Sequence, residues 1–116
     1  MSLPRLTSRF YVSALIRRVM GAGGFAAVTR KGAEEAGAIF VLVDRLDGTV
    51  DLFGPAPQAI FETTPEDRLF EPLIRAGARA DATARLDREK RMDPDFWVVE
   101  IEHKGGTDAV PLIPAS

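Results

Sequence analysis

Hydrophobic residues near the start of the chain recur with helical spacing. Four of them follow the i, i+3, i+4, i+7 pattern of an amphipathic helix: Val12, Leu15, Ile16 and Val19. Thr7 or Ser8 can cap the start of this helix and Gly21 can end it, so we expect it over residues 7–20. The side chains that project away from the apolar stripe are Phe10, Ala14, Arg17 and Arg18. The pattern therefore predicts one packed face and one basic face.

Two apolar runs joined by a turn signal predict a β-hairpin over residues 38–54. The first run, residues 38–43, is apolar throughout, which is typical of a strand buried on both faces. Asp47 and Gly48 follow it, and an Asp-Gly pair favours a tight turn in which both residues adopt positive φ. Residues 50–53 are then the returning strand.

Shorter elements are expected on either side of this hairpin. They are strands over residues 25–28 and 59–61, a helical turn that starts at residues 64–67, and an edge strand over residues 69–74 that accommodates Pro72. A second helix is predicted near residues 82–92, with Asp81 as its cap and Asp93-Pro94 as its stop.

The final strand is expected over residues 96–102. Trp97, Val99 and Ile101 share one face of it, and Phe96 and Val98 share the other, which Glu100 and Glu102 extend into solvent. Apolar side chains on both faces predict cover on both sides of the sheet. We therefore expect an α+β or three-layer α/β/α fold with a mostly antiparallel sheet of five to six strands.

Length and composition exclude several classes of protein. The chain has 116 residues, 46% hydrophobic and 28% charged, which fits a single domain over residues 1–116 with a loose tail from about 105 to 116. It has no cysteine and no apolar run long enough to span a bilayer, so we expect no disulfide, no cysteine-bound zinc and no membrane partner. Arginines interrupt the apolar positions near the start, so we expect no signal peptide and a cytoplasmic location.

Charge is distributed unevenly along the chain. Residues 1–33 carry six basic groups and no acid, whereas the remainder carries nine basic and seventeen acidic groups. The candidate polyanion-binding residues in or beside the first helix and the first turn are Arg9, Arg17, Arg18, Arg30 and Lys31. Such a segment can attract phosphate or an acidic partner, unless the acidic remainder folds against it and neutralises it.

An acidic group near the end of the chain superficially matches the PD…ExK pattern of metal-dependent nucleases. Asp95 and Glu102, the latter followed by His103 and Lys104, would have to converge on one ion. A straight strand places these two carboxylates roughly 23 Å apart, so we expect no shared ion. A metal-dependent hydrolase is therefore the weakest of the functions considered.

Three other motifs have structural interpretations. The hairpin accounts for Asp44, Asp47 and Asp51, because a calcium loop also needs a terminal Glu. His103 has no evident catalytic partner and is expected on the surface. The glycines of residues 21–24 follow a helix, whereas phosphate-binding loops precede one. We identify no catalytic residue, no metal ligand and no cofactor site.

Several strings together resemble one bacterial family. They are residues 23–26 (GGFA), 35–38 (EAGA), 45–48 (RLDG), 54–57 (GPAP) and 93–102 (DPDFWVVEIE). The chain resembles a family of short proteins that is found chiefly in alphaproteobacteria and is classed as a domain of unknown function. The resemblance covers nearly the whole chain and is most specific over residues 93–102. It implies a single cytoplasmic α/β-type domain without an established activity.

These observations favour a non-catalytic interaction module, either a homodimer or the partner of a larger assembly. Binding of nucleic acid or another polyanion through the basic residues named above is the first alternative. No cofactor is expected in either case.

Overall fold

The computed structural model describes residues 7–56 and 70–104. Along the chain it contains α1 (Ser8–Gly21), β1 (Phe25–Arg30), β2 (Ala38–Asp44), β3 (Val50–Pro55), β4 (Phe70–Gly77), α2 (Arg79–Met92) and β5 (Phe96–Glu102). Three expectations concern residues outside the described ranges: the strand over 59–61, the helical turn at 64–67 and the tail from about 105 to 116.

The strands form one sheet in the order β1-β5-β2-β3-β4. Only β2 and β5 pair in parallel, and the other three pairings are antiparallel, which confirms the mostly antiparallel sheet. The last strand of the described residues, β5, is therefore internal to the sheet, since it lies between β1 and β2. The edge strand that contains Pro72 is confirmed as β4, and it continues three residues further than expected, to Gly77.

The two helices cover opposite faces of this sheet. Val12, Leu15 and Val19 of α1 pack on one face against alternate residues of the strands: Ala26, Ile39, Val41, Val43, Phe53, Trp97, Val99 and Ile101. Ala82 and Leu86 of α2 pack on the other face against the intervening residues: Phe40, Leu42, Val50, Leu52, Phe96 and Val98. The fold is thus α+β with three layers, as the apolar faces of the last strand predicted.

The ends of the two helices agree with the sequence to different degrees. The Thr7 side chain caps α1 by accepting a hydrogen bond of 3.1 Å from the Phe10 amide, as expected. Gly23, with φ of 88°, supplies the left-handed turn after the helix. The expected cap of α2 is wrong, because α2 begins at Arg79 and Ala78 precedes it without a side-chain cap. Asp81 instead lies in the first turn, where a carboxylate is favourable to the helix dipole.

The hairpin is present, but its turn differs from the expected one. Asp44 pairs with Val50, so the loop contains five residues, 45–49, instead of two. Positive φ occurs at Leu46 (63°) and Gly48 (91°), and not at Asp47. The Asp47 carboxylate accepts hydrogen bonds from the amide and the hydroxyl of Thr49, which favours the wider loop.

The loop between β1 and β2 is held by side chains from distant parts of the chain. The Trp97 indole N–H donates to the Ala33 carbonyl at 2.8 Å, and the Ala33 amide donates to Asp95 at 2.7 Å. The buried Ser8 hydroxyl donates to the Gly37 carbonyl at 2.6 Å. Trp97 is 3% exposed, which confirms that it belongs to the core. These contacts join the start of α1, the loop and the start of β5.

Candidate functional site

Five exposed side chains form what we call the outer face of α1: Arg9, Phe10, Arg17, Arg18 and Met20. Helical periodicity produces this face, because the side chains that point at the sheet are Ser8, Val12, Leu15 and Val19. Phe10 and Met20 are 56% and 51% exposed, so the surface presents apolar groups beside cations.

The three guanidinium groups on this face are available to a partner. Arg9, Arg17 and Arg18 form no side-chain hydrogen bond or ion pair with any of the residues in 7–56 and 70–104. Arg9 and Arg17 are about 12 Å apart along the helix axis, from the rise of 1.5 Å per residue. The acidic remainder of the chain does not neutralise them within the described residues.

The other two predicted basic residues are placed differently. Lys31 forms an ion pair of 3.7 Å with Glu34, in the loop whose carbonyl groups accept the first amides of α1. Arg30 lies on the opposite face of the sheet, with its guanidinium 4.6 Å from the centroid of the Phe96 ring. Its Nη2 donates to the Pro94 carbonyl. The five residues therefore do not form one surface.

The acidic residues near the end of the chain lie far apart on the sheet. Asp95 bonds to Ala33 before the start of β5, whereas Glu102 lies opposite Phe25 at the far end of that strand. Among the described residues, no three His, Asp or Glu side chains gather in a way that could hold a metal ion.

Two polar groups near this end have partners within the fold. Glu100 does not simply extend into solvent, because it accepts a hydrogen bond of 3.2 Å from Arg79, which also reaches Asp44 at 3.1 Å. The hydrogen bond to Glu100 raises the pKa of Arg79 above its usual value. His103 is half-buried, and its Nε2 lies 3.2 Å from the Ala22 carbonyl, so it links the end of β5 to the end of α1.

A fully buried carboxylate is the polar feature that sequence reasoning missed. The sequence placed Asp51 in the returning strand of the hairpin but gave no expectation of burial, whereas in β3 it is 0% exposed. It accepts a hydrogen bond of 2.9 Å from Arg45 and one of 2.7 Å from the Ala76 amide, and Arg75 lies 3.9 Å away. The strand alternation that places Asp51 on the same face as Phe53 is the signal that could have indicated its burial.

The fold and these surfaces define a small three-layer α+β domain with basic and apolar groups exposed on its first helix. A family model described as "Protein of unknown function (DUF1491)" matches residues 6–111. The chain belongs to this family.

Solved structures support the assignment. A solution structure of an A. tumefaciens protein is 45% identical, covers 97% of each chain and superposes with a TM-score of 0.83. A crystal structure of a DUF1491 family protein from Caulobacter crescentus is 41% identical, covers 85% of this chain and 89% of that one, and has a TM-score of 0.71. An NMR structure of a DUF1491 family protein from the same organism is 39% identical, with 94% and 93% covered and a TM-score of 0.70.

Comparison with functionally curated proteins gives no significant match. Neither α1 nor α2 is long and apolar enough to cross a membrane, and the part of the chain that the structure describes holds no other helix.

Proposed function

We propose that this protein is a non-catalytic interaction module that binds an acidic protein partner through the outer face of α1. The observation that carries the proposal is the combination of exposed Phe10 and Met20 with three arginines that have no partner among the described residues. Arginine, phenylalanine and methionine are enriched at protein interfaces, and arginine binds carboxylates through two parallel hydrogen bonds.

The geometry of the helix supports one continuous contact. Phe10 and Arg17 are seven residues apart and lie nearly in line on the helix surface, and Met20 follows three residues later. A partner that crosses this face would meet an apolar side chain at each end of α1 and cations between them. Its complementary surface would carry carboxylates around apolar contacts.

Charge disfavours a second copy of the chain as the occupant of this surface. A symmetric contact through α1 would bring Arg9, Arg17 and Arg18 towards their own copies, and like charges across an interface are unfavourable. An acidic partner avoids this repulsion.

Nucleic acid is the second candidate, because an exposed aromatic ring among cations can stack on a base. Phe10 lies next to Arg9 and about two helical turns from Arg17, and Lys31 lies near the start of the same helix. Three arginines without a partner among the described residues make a small electrostatic footprint on a chain with a formal charge of −2, so this candidate ranks second.

A photo-crosslinking residue at position 10 or 20 tests the proposal in the full chain inside cells. We expect discrete adducts with an acidic protein from both positions, and loss of these adducts in an R17E/R18E variant. The matched control places the crosslinker at position 88, an exposed site on α2 on the other side of the sheet.

Binding assays with the purified protein and its captured partner then measure the affinity of the contact directly. Charge reversal of Arg17 and Arg18 should weaken binding of the captured partner at least about tenfold, with a steep dependence on salt. Equal adducts from position 88, or no adduct from positions 10 and 20, would contradict the proposal. Nucleic-acid adducts at those positions would favour the second candidate instead.

We also propose that the protein acts in the cytoplasm, as its sequence led us to expect. Fractionation of cells that express the full chain tests this location, and recovery with the envelope fraction would contradict it.

A further inference from the structure

Helix α2 covers only part of its face of the sheet. It packs on β3 and β4, and Ala82 contacts Leu42, Val50 and Leu52. On the same face, Phe25 and Thr29 of the edge strand β1 remain exposed. A cleft of about 260 Å³ therefore opens between α2 and the strands β5 and β1.

The cleft combines an apolar floor with a polar rim. The apolar residues that line it are Leu42, Leu86, Phe96 and Val98. The polar residues are Thr29, Arg30, Arg79, Thr83, Asp87, Lys90 and Glu100. A concave site with an apolar body and a few polar groups is the usual form of a ligand pocket in proteins, and the volume of this one lies just below the usual range of about 300–1,000 Å³.

The cations of the rim are not equivalent. Arg79 is held between Asp44 and Glu100, so its charge is balanced within the fold. Arg30 and Lys90 form no ion pair with any residue in the described ranges. Besides the balanced pair of Arg79 and Glu100, the cleft thus has two cations, Arg30 on the strand side and Lys90 on the helix side, and one further carboxylate, Asp87.

Arg30 carries the strongest indication of a missing partner. The Phe96 ring and the Pro94 carbonyl fix its guanidinium group. Its Nε is buried and has no hydrogen-bond acceptor among the described residues. Buried donors are almost always satisfied, since an unsatisfied one costs about 1–3 kcal/mol. An oxyanion bound in the cleft would bring a hydrogen-bond acceptor to this guanidinium group.

We propose that this cleft binds a small apolar molecule that carries a carboxylate or phosphate group. The oxyanion lies between Arg30 and Lys90, with the Thr83 hydroxyl group as a further donor, and the apolar body rests on Leu42 and Val98. The fork of the guanidinium group suits both carboxylate and phosphate oxygens. This site is independent of the proposed function, because it lies on the opposite face of the sheet from α1.

Titration of the full chain by amide NMR at low salt tests this site. The probes are benzoate and phenyl phosphate, which separate the two oxyanions, and benzyl alcohol, which is a neutral control. We expect saturable shifts in the millimolar range for at least one anion, confined to residues near Thr29, Lys90 and Val98, and none for benzyl alcohol. Shifts spread over the whole chain, or equal shifts with benzyl alcohol, would refute the site.

Variants identify the cations that bind. Arg30→Gln and Lys90→Gln should each lower the affinity for the anion at least about tenfold, as expected for loss of a charge-assisted hydrogen bond. Lys90 is exposed, so its substitution keeps the test valid if Arg30→Gln disturbs folding. Arg85→Gln and Arg88→Gln, on the same helix but outside the cleft, are the controls and should bind like the unmodified chain. Unchanged affinity in Lys90→Gln and Arg30→Gln, or no binding of either anion, would overturn the proposal.

Discussion

The carboxylate of Asp51 accepts a hydrogen bond of 2.7 Å from the backbone N–H of Ala76. This contact joins β3 to the end of β4, where Ala76 has a left-handed backbone with φ of 50°. Asp51 is completely buried, and Arg45 supplies its second hydrogen bond. This left-handed backbone is sterically unfavourable for a residue with a Cβ atom. In this conformation the Ala76 N–H donates to the buried carboxylate of Asp51.

Asp51→Ala should lower the free energy of unfolding by about 3 kcal/mol, because it leaves the Ala76 amide and Arg45 without their buried acceptor. Because Arg45 is partly exposed to solvent, the loss of stability should lie near the lower end of the range of about 3–5 kcal/mol that is typical of broken buried ion pairs. Urea unfolding measures the change. Asp47→Ala, an exposed acid in the neighbouring loop, is the matched control, and equal losses in the two variants would refute the role of burial.

Ala76→Gly should raise the free energy of unfolding by up to about 1 kcal/mol, since glycine adopts positive φ without the steric cost that alanine pays there. Ala84→Gly, at an exposed position inside α2, should lower it by about 1 kcal/mol. The same thermal or urea unfolding experiment compares both. A loss of stability in Ala76→Gly would show that the left-handed backbone carries little strain.

Asp95→Ala should loosen the loop between β1 and β2, because the Ala33 amide loses its acceptor at 2.7 Å. We expect faster hydrogen exchange at the Ala33 amide and a loss of about 1 kcal/mol in stability. Asp87→Ala, an exposed acid on α2, should leave that exchange rate unchanged. Unaltered protection of Ala33 in Asp95→Ala would contradict this account of the loop.

The hydrogen bonds from Thr49 hold the pKa of Asp47 below its usual value of 3.8. A carboxyl whose pKa is lowered on folding stabilises the folded state above its unfolded pKa, and this contribution is lost as the pH falls through the folded pKa. The loop over residues 45–49 should therefore be weakened only in acid, at pH values below about 3.8. Carboxyl NMR titration should give a higher pKa for Asp47 in Thr49→Ala, and an unchanged pKa would contradict the assignment.

Local sequence signals predicted most of the elements correctly. The spacing of Val12 to Val19 identified α1, the apolar run at residues 38–43 identified β2, and the alternation after residue 95 identified β5. The errors are small displacements at element ends. Asp81 is not the cap of α2, and the positive φ of the hairpin falls on Leu46 instead of Asp47, because a side-chain hydrogen bond of Asp47 to Thr49 selects a wider loop.

The candidate sites were less predictable than the fold. The sequence placed Arg17 and Arg18 on the solvent side of α1, since helical periodicity alone determines it. It also grouped Arg30 with them, whereas the structure places Arg30 across the sheet, over the Phe96 ring. Nearness along the chain does not reveal this, because the bulge between Val28 and Arg30 places Arg30 opposite Val98, on the face of the sheet that α2 covers.

The sequence by itself determined the type and approximate limits of the helices and strands, and which side of α1 is apolar, since these depend on side chains a few residues apart. The tertiary structure alone decided that β5 enters between β1 and β2, that Asp51 is buried, and that Arg30 lines a cleft beside α2. Each of these outcomes depends on which distant segments pair or pack together. That choice is made by the total area buried and the hydrogen bonds completed across the whole chain, which no local pattern records.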